Sequence, residues 1–92
     1  MTYTLIFTDS YNRRARKWLK KHPDLKNHYL KTLQLLQLNP SHPSLRLHPL
    51  KGRLQGLQSV SISLGHRITL EMLVSEAEII LVNVGSHDAV YR

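Results

Sequence analysis

The sequence predicts a single α+β domain: a strand, a two-helix hairpin, then four more strands (β-α-α-β-β-β-β), with the helices packed on one face of one antiparallel sheet. Three observations lead there. Residues 2–8 alternate apolar and polar with period two; residues 9–39 carry their apolar side chains at helical spacing; residues 45–84 return to alternation broken by turn residues. Ninety-two residues fill one domain, 1–92, and leave no room for a second.

Each element follows in order. "TYTLIFT" sets Tyr3, Leu5 and Phe7 against Thr4, Ile6 and Thr8, as a half-buried strand requires. Asp9 and Ser10 are helix N-cap residues. After them Tyr11, Ala15, Trp18 and Leu19 form one apolar stripe. Pro23 ends this helix and can open the next, whose stripe is Leu25, Tyr29, Leu33 and Leu36 and whose end is Asn39-Pro40. "PSHPS" reads as loop. In "LRLHPL", Leu45 and Leu47 oppose Arg46 and His48, and Pro49, which cannot donate to a ladder, assigns this strand to a sheet edge. "KGRLQG" is a turn, and "LQSVSIS", "RITLEMLV" and "EIILVNV" are the last three strands.

Side-chain parity constrains their turns. Val60 and Ile62 must share a face with Ile68 and Leu70, which predicts a three-residue loop Leu64-Gly65-His66, Gly65 at positive φ and Ser63 opposite Arg67. The same reasoning gives Ser75-Glu76-Ala77 as the next loop, with Met72 beside Ile80 and Thr69 beside Asn83. His48 falls opposite Ser59. The helices cover the apolar face, and the face left open carries Arg46, His48, the serine row, Arg67, Thr69 and Asn83, joined by Gly85 and His87 if the alternation continues.

The charge points to a partner. The chain holds 13 Lys and Arg against 6 Asp and Glu, a net +7, and no acidic residue lies between Asp24 and Glu71. Such a balance favours a polyanion, nucleic acid first. There is no cysteine, which excludes disulfides and thiolate zinc sites. No signal peptide or membrane-length apolar run is read, so a cytoplasmic protein is expected. His22, His28 and His42 lack ligand spacing, and neither metal nor cofactor is expected.

RNA can be cleaved without a metal, because the substrate supplies its own 2′-OH nucleophile. The protein must then provide a base, an acid and cations for the phosphate. Histidine suits the first two roles and arginine the third. His87, His48 and Arg67 supply those residue types, each with a plainer alternative: a turn residue, an edge-strand filler, a partner for Glu71.

"HPLKGRLQGLQSVSISLGHRITLEM" (48–72) and "ILVNVGSHDAVYR" (80–92) resemble the RelE/ParE superfamily of toxins from bacterial toxin–antitoxin pairs, most closely its RelE and YafQ branch. The resemblance extends over nearly the whole chain. It implies the same strand, two-helix, antiparallel-strand fold and an mRNA interferase that cuts mRNA in the ribosomal A site. It implies a cognate antitoxin as partner, the toxin being a monomer within a hetero-oligomeric complex. His48 matches a functional histidine of YafQ-like toxins, His87 their C-terminal catalytic histidine, Arg67 the strand arginine that grips phosphate, and Tyr91 the C-terminal tyrosine. Arg46, Lys51, Arg53, Ser61 and Ser63 are the expected RNA- and phosphate-binding residues. Arg13, Arg14, Arg16, Lys17, Lys20 and Lys21 are the expected ribosome-docking set. Leu30, Leu35 and Leu38, with Trp18 and Leu19, are expected anchors for the antitoxin. Two departures stand out: Ser59 and Ser61 replace lysines of RelE, and Gly65 replaces the carboxylate of YafQ-like proteins. Two alternatives therefore stay open, a ParE-like inhibitor of DNA gyrase and a degenerate toxin that only binds its antitoxin.

Overall fold

The structure, a computed structural model, describes residues 2–86. Strand β1 (Thr4–Phe7) leads into helix α1 (Asp9–Lys21), and a 3₁₀ turn at Pro23–Leu25 leads into α2 (Lys26–Leu38). Four strands follow: β2 (His48–Pro49), β3 (Gln58–Ser63), β4 (His66–Leu73) and β5 (Glu78–Ser86). They form one sheet in the order β1-β5-β4-β3-β2. The neighbours β2–β3, β3–β4 and β4–β5 are antiparallel, whereas β1 lies parallel to β5. The sheet is therefore mixed. Alternation within a strand says nothing about its neighbour's direction, which is why a wholly antiparallel sheet was the expectation.

Helix α1 starts where Thr8 Oγ1 accepts a hydrogen bond from the Tyr11 backbone N–H at 3.2 Å. The cap is Thr8, one residue before the expected Asp9, and Asp9 instead places its charge in the first turn. Tyr11, Ala15 and Trp18 are buried, as their spacing predicts; α1 packs over β5 and α2 over β3. From α2 the core receives Tyr29, Thr32 and Leu36, and from the sheet Val60, Ile68, Leu70, Ile79 and Leu81. Each such aliphatic side chain contributes roughly 1.5–3 kcal/mol by leaving water. The buried Tyr11 and Tyr29 hydroxyls satisfy one another at 2.8 Å across the helix pair. No helix among the described residues is long and apolar enough to cross a membrane.

The strand after the helices is shorter than its pattern. Leu45 belongs to a 3₁₀ turn, Pro43–Leu45, and Arg46 sits in the left-handed region at φ 50°, so only His48 and Pro49 pair with β3. Pro43 favours the tight turn and Pro49 withholds a donor, so the edge position is observed but not the length.

Both hairpins satisfy the parity requirement by a bulge rather than by the expected loop. Ser63 pairs with His66, leaving a two-residue turn, Leu64-Gly65, and the odd residue is Ile62, bulged between the pairs Ser61–Arg67 and Ser63–His66. Arg67 thus faces Ser61, not Ser63. The positive-φ glycines are Gly52 and Gly56, not Gly65. In the next hairpin Val82 is the extra residue: Thr69 pairs with Asn83 as expected, but below the bulge Met72 pairs with Ile79 instead of Ile80. The turn there is four residues, 74–77, closed by Ala77 at φ 52°.

Candidate active site and nucleic-acid interface

The sheet face turned away from the helices is organised in two rows. His48 on β2, Ser59 on β3, Thr69 on β4 and Asn83 on β5 are directly opposite one another in register. Two residues along, Ser61, Arg67 and Gly85 form the second row, about 7 Å away at strand rise. The bulge at Ile62 with the two-residue turn sets this pairing; the expected three-residue loop would put Arg67 opposite Ser63, one row further from His48. The expected open face is closed at its centre, however. Ser59 is 0% and Thr69 1% exposed, while His48, Ser61, Ser63, Arg67 and Asn83 are half-buried.

His48 has a defined tautomer. Its Nδ1 lies 2.9 Å from the Arg46 carbonyl oxygen, which can only accept, so Nδ1 carries the proton and Nε2 is the basic nitrogen of the neutral ring. The left-handed turn at Arg46 aims that carbonyl. Arg46 therefore orients His48 through its backbone while its exposed side chain is not part of a strand face. His48 and Lys51 line one groove of about 360 Å³ with Pro49, Leu50 and Leu54. Arg53 is exposed on the following 3₁₀ turn and does not line that groove.

Arg67 is the electrostatic centre of the second row. Its Nε and Nη1 are out of contact with solvent and have no hydrogen-bond partner among the described residues, and Thr69 Oγ1, two residues along β4, is in the same state. The pairing with Glu71 considered from the sequence does not occupy these atoms. Ser61 and Ser63 are partly committed: Ser61 Oγ donates to the Ser63 carbonyl at 2.9 Å, and Ser63 Oγ lies 3.3 Å from His66 Nδ1.

His66 is the functional-looking residue that sequence reasoning assigned to a loop. It opens β4, and its ring centroid lies 4.5 Å from that of His22 and 5.4 Å from that of Trp18. Burial, then the neighbouring His22, hold its pKa below the usual histidine value, against a smaller opposing pull from Asp24. The available signal was Trp18 on α1 and His22 four residues on, at the C-cap of that helix. Its register partner is Ser86, the last described residue of β5. His87 and Tyr91 lie outside the described residues.

The basic residues of α1 divide between two surfaces. Arg14, Lys17 and Lys21 line a groove of about 370 Å³ with Trp18, His22 and residues 83–86 of β5. Arg14 Nη1 also donates, at 3.4 Å, to the carbonyl of the bulged Val82. Arg16 and Lys20 line a different groove with Leu19, Pro23 and Lys26, and exposed Arg13 lines neither. Of the expected antitoxin anchors, Leu30 and Leu38 are exposed, but Leu35 packs against the core and Trp18 is buried. Among the described residues no group of three or more His, Asp or Glu side chains could hold a metal ion.

Known structures share this fold. YafQ from E. coli strain BL21(DE3) superposes with a TM-score of 0.80 at 15% identity, over 98% of this chain and 99% of that one. The chain has the RelE/YafQ toxin fold. A second likeness, to a chain of the E. coli DinJ-YafQ toxin–antitoxin complex, covers 100% of both chains at TM-score 0.79 and 17% identity. A YoeB/ParE toxin from Agrobacterium tumefaciens matches with a TM-score of 0.71 at 20% identity, over 91% of this chain and 98% of that one. No family model and no curated protein sequence matches the chain. The RelE/YafQ fold is thus shared at 15% to 20% identity, and the site chemistry rests on this chain's own residues.

Proposed function

We propose that this chain is the toxin of a toxin–antitoxin pair, an endoribonuclease that cuts mRNA in the ribosomal A site by metal-independent 2′-OH attack. The observation that carries the reading is the Arg67 guanidinium, whose Nε and Nη1 are buried and unpartnered among the described residues, on the face shared with His48. A charged donor in that state is stabilised by an incoming anion, and the phosphodiester is the anion this chemistry presents. Arg67 and Lys51 hold phosphate. His48 Nε2 takes the 2′-OH proton, the oxygen attacks phosphorus to give a 2′,3′-cyclic phosphate, and the departing 5′-oxygen takes a proton from His87. The resemblance to RelE and YafQ adds Tyr91 as a further catalytic residue. Thr69 Oγ1, buried two residues along β4 from Arg67, adds a hydroxyl to the same sheet face. The toxin reading also draws on the shared fold, since DinJ-YafQ and the RelBE2 complex of Mycobacterium tuberculosis are toxin–antitoxin assemblies. An antitoxin is accordingly the expected partner, and the ribosome places the protein in the cytoplasm.

The test is induction of the chain alone in bacteria with mapping of mRNA 5′ ends. Cuts at fixed positions within codons, lost in His87→Ala and Arg67→Gln at equal protein level, are the expected result; loss of one acid or base costs about 10²–10⁴-fold. Growth arrest with intact mRNA and trapped gyrase–DNA complexes would replace this reading with the ParE-like one. No arrest in either assay would mark the chain as a degenerate toxin.

A further inference from the structure

Strand β5 outruns its neighbour β1. Their register runs from Thr4–Glu78 to Phe7–Leu81, whereas β5 continues to Ser86. Beyond Leu81 the strand bulges at Val82, and helix α1 lies alongside it, with Arg14 Nη1 donating to the Val82 carbonyl at 3.4 Å. The groove of about 370 Å³ between α1 and residues 83–86 is the result. Its helix wall carries three exposed cations, Arg14, Lys17 and Lys21, and among the described residues no carboxylate lines it. Its strand wall includes Gly85, which is also the register partner of Arg67. The groove therefore opens next to the row proposed to hold phosphate.

Aromatic rings accompany these charges. Trp18 and His22 both line the groove, their ring centroids 5.3 Å apart and their planes tilted by 38°. His66 packs against both rings without lining the groove. Trp18 is buried, so half-buried His22 offers the ring face that a ligand can reach. The plainer role for His22 is to end α1, but its backbone N–H does that by bonding the Trp18 carbonyl at 3.0 Å. Cations alone suit any anion. Cations beside a held aromatic ring suit a nucleotide, whose phosphate meets the charges and whose base stacks on the ring.

We infer that this groove receives the RNA nucleotide next to the scissile phosphate, its phosphate against Arg14 and Lys17 and its base stacked on His22. This rests on the endoribonuclease reading. Stacking tolerates every base but strengthens with the area of the π-face, so purines are preferred.

Trp18 is the chain's one tryptophan, so its fluorescence reports on the groove. The test titrates the full chain with short 2′-O-methylated RNA, which lacks the attacking hydroxyl, over about 1 μM to 1 mM. Oligoadenylate should quench Trp18 saturably, and an abasic strand of equal length should bind about 5- to 150-fold more weakly without quenching. His22→Ala should weaken oligoadenylate binding by the same factor and leave abasic binding unchanged, while His22→Phe restores the stack. Exposed Arg14→Gln, which leaves the core intact, should weaken both strands alike. Equal binding of the abasic strand overturns the proposal in favour of a plain phosphate site. Binding without quenching, unchanged affinity in His22→Ala, or no binding over this range overturns it too. Cuts at fixed positions in cellular mRNA would survive each of these results and keep the endoribonuclease reading; intact mRNA overturns both.

Discussion

A guanidinium such as that of Arg67, with Nε and Nη1 out of water and without acceptors among the described residues, destabilises the fold that holds it, by about 1–3 kcal/mol for unmet hydrogen bonds. Arg67→Met keeps much of the side chain's length and removes the charge. It should raise the unfolding free energy in urea while lowering RNA cleavage by about 10²–10³-fold. A variant that loses stability along with activity would show that Arg67 has a structural role instead. His66 gives a pH dependence with a definite sign. Its folded pKa is lowered, so the unfolded chain binds the proton more readily and the stabilisation is complete above the unfolded value, near 6.5. It is lost as pH falls from there toward the folded pKa. Thermal midpoints measured from pH 7.5 downward should therefore drop below about 6.5, and the drop should be smaller in His66→Gln. Equal acid sensitivity of the two proteins would rule His66 out as its source. Only the first of these residues was visible beforehand: Arg67 sits at an outward position of a clear alternation. The His66 stack depends on a helix and a hairpin meeting in space.

The elements were legible where a pattern repeats and illegible where one residue breaks it. Tyr11, Ala15 and Trp18 repeat with helical spacing, and all three are buried. His48 opposite Ser59 and Thr69 opposite Asn83 followed from period-two counting and are observed. Counting fixes only whether an odd residue exists, not whether it lies in a turn or a strand. The structure puts it at Ile62 and Val82, and the bulge at Ile62 with its two-residue turn sets the Arg67 row next to the His48 row. Left-handed Arg46 escaped for a related reason: alternation in "LRLHPL" mimics a strand that Pro43 and Pro49 do not allow. Ala77 offers a direct test of the second turn. At φ 52° its Cβ costs about 1–2 kcal/mol, more than the roughly 0.5–1 kcal/mol of extra chain entropy that glycine loses on folding. Ala77→Gly should thus stabilise the protein by about 0.5–1 kcal/mol in chemical denaturation. A loss of stability would mean that the turn is not left-handed in solution.

On the scale of the molecule, the basic side chains of α1 divide between two grooves, and the proposed binding of RNA to the sheet face would use one of them. Net charge could be read from composition, but its division could not, because helix α1 distributes six cations around an axis whose orientation is set by packing. Arg14, Lys17 and Lys21 converge on the end of β5, next to the row that holds Arg67 and Gly85. Arg16 and Lys20 flank Leu19 and Pro23 on another surface. If RNA runs from the ribosome across the sheet face, the first group contacts phosphate and the second does not. Each phosphate contact contributes about 0.7 to the slope of log affinity against log salt for single-stranded nucleic acid, so three contribute about 2. Replacing Arg14, Lys17 and Lys21 with glutamine should reduce the salt slope for ribosome association by about 2, and replacing Arg16 and Lys20 should leave it nearly unchanged. Sedimentation with purified ribosomes between about 50 and about 200 mM salt would measure both slopes. Equal reductions per residue in the two variants would show a diffuse electrostatic attraction in which the β5 groove has no special part. A larger reduction from Arg16 and Lys20 would place the ribosome on the Leu19 surface and turn the His48–Arg67 face away from it.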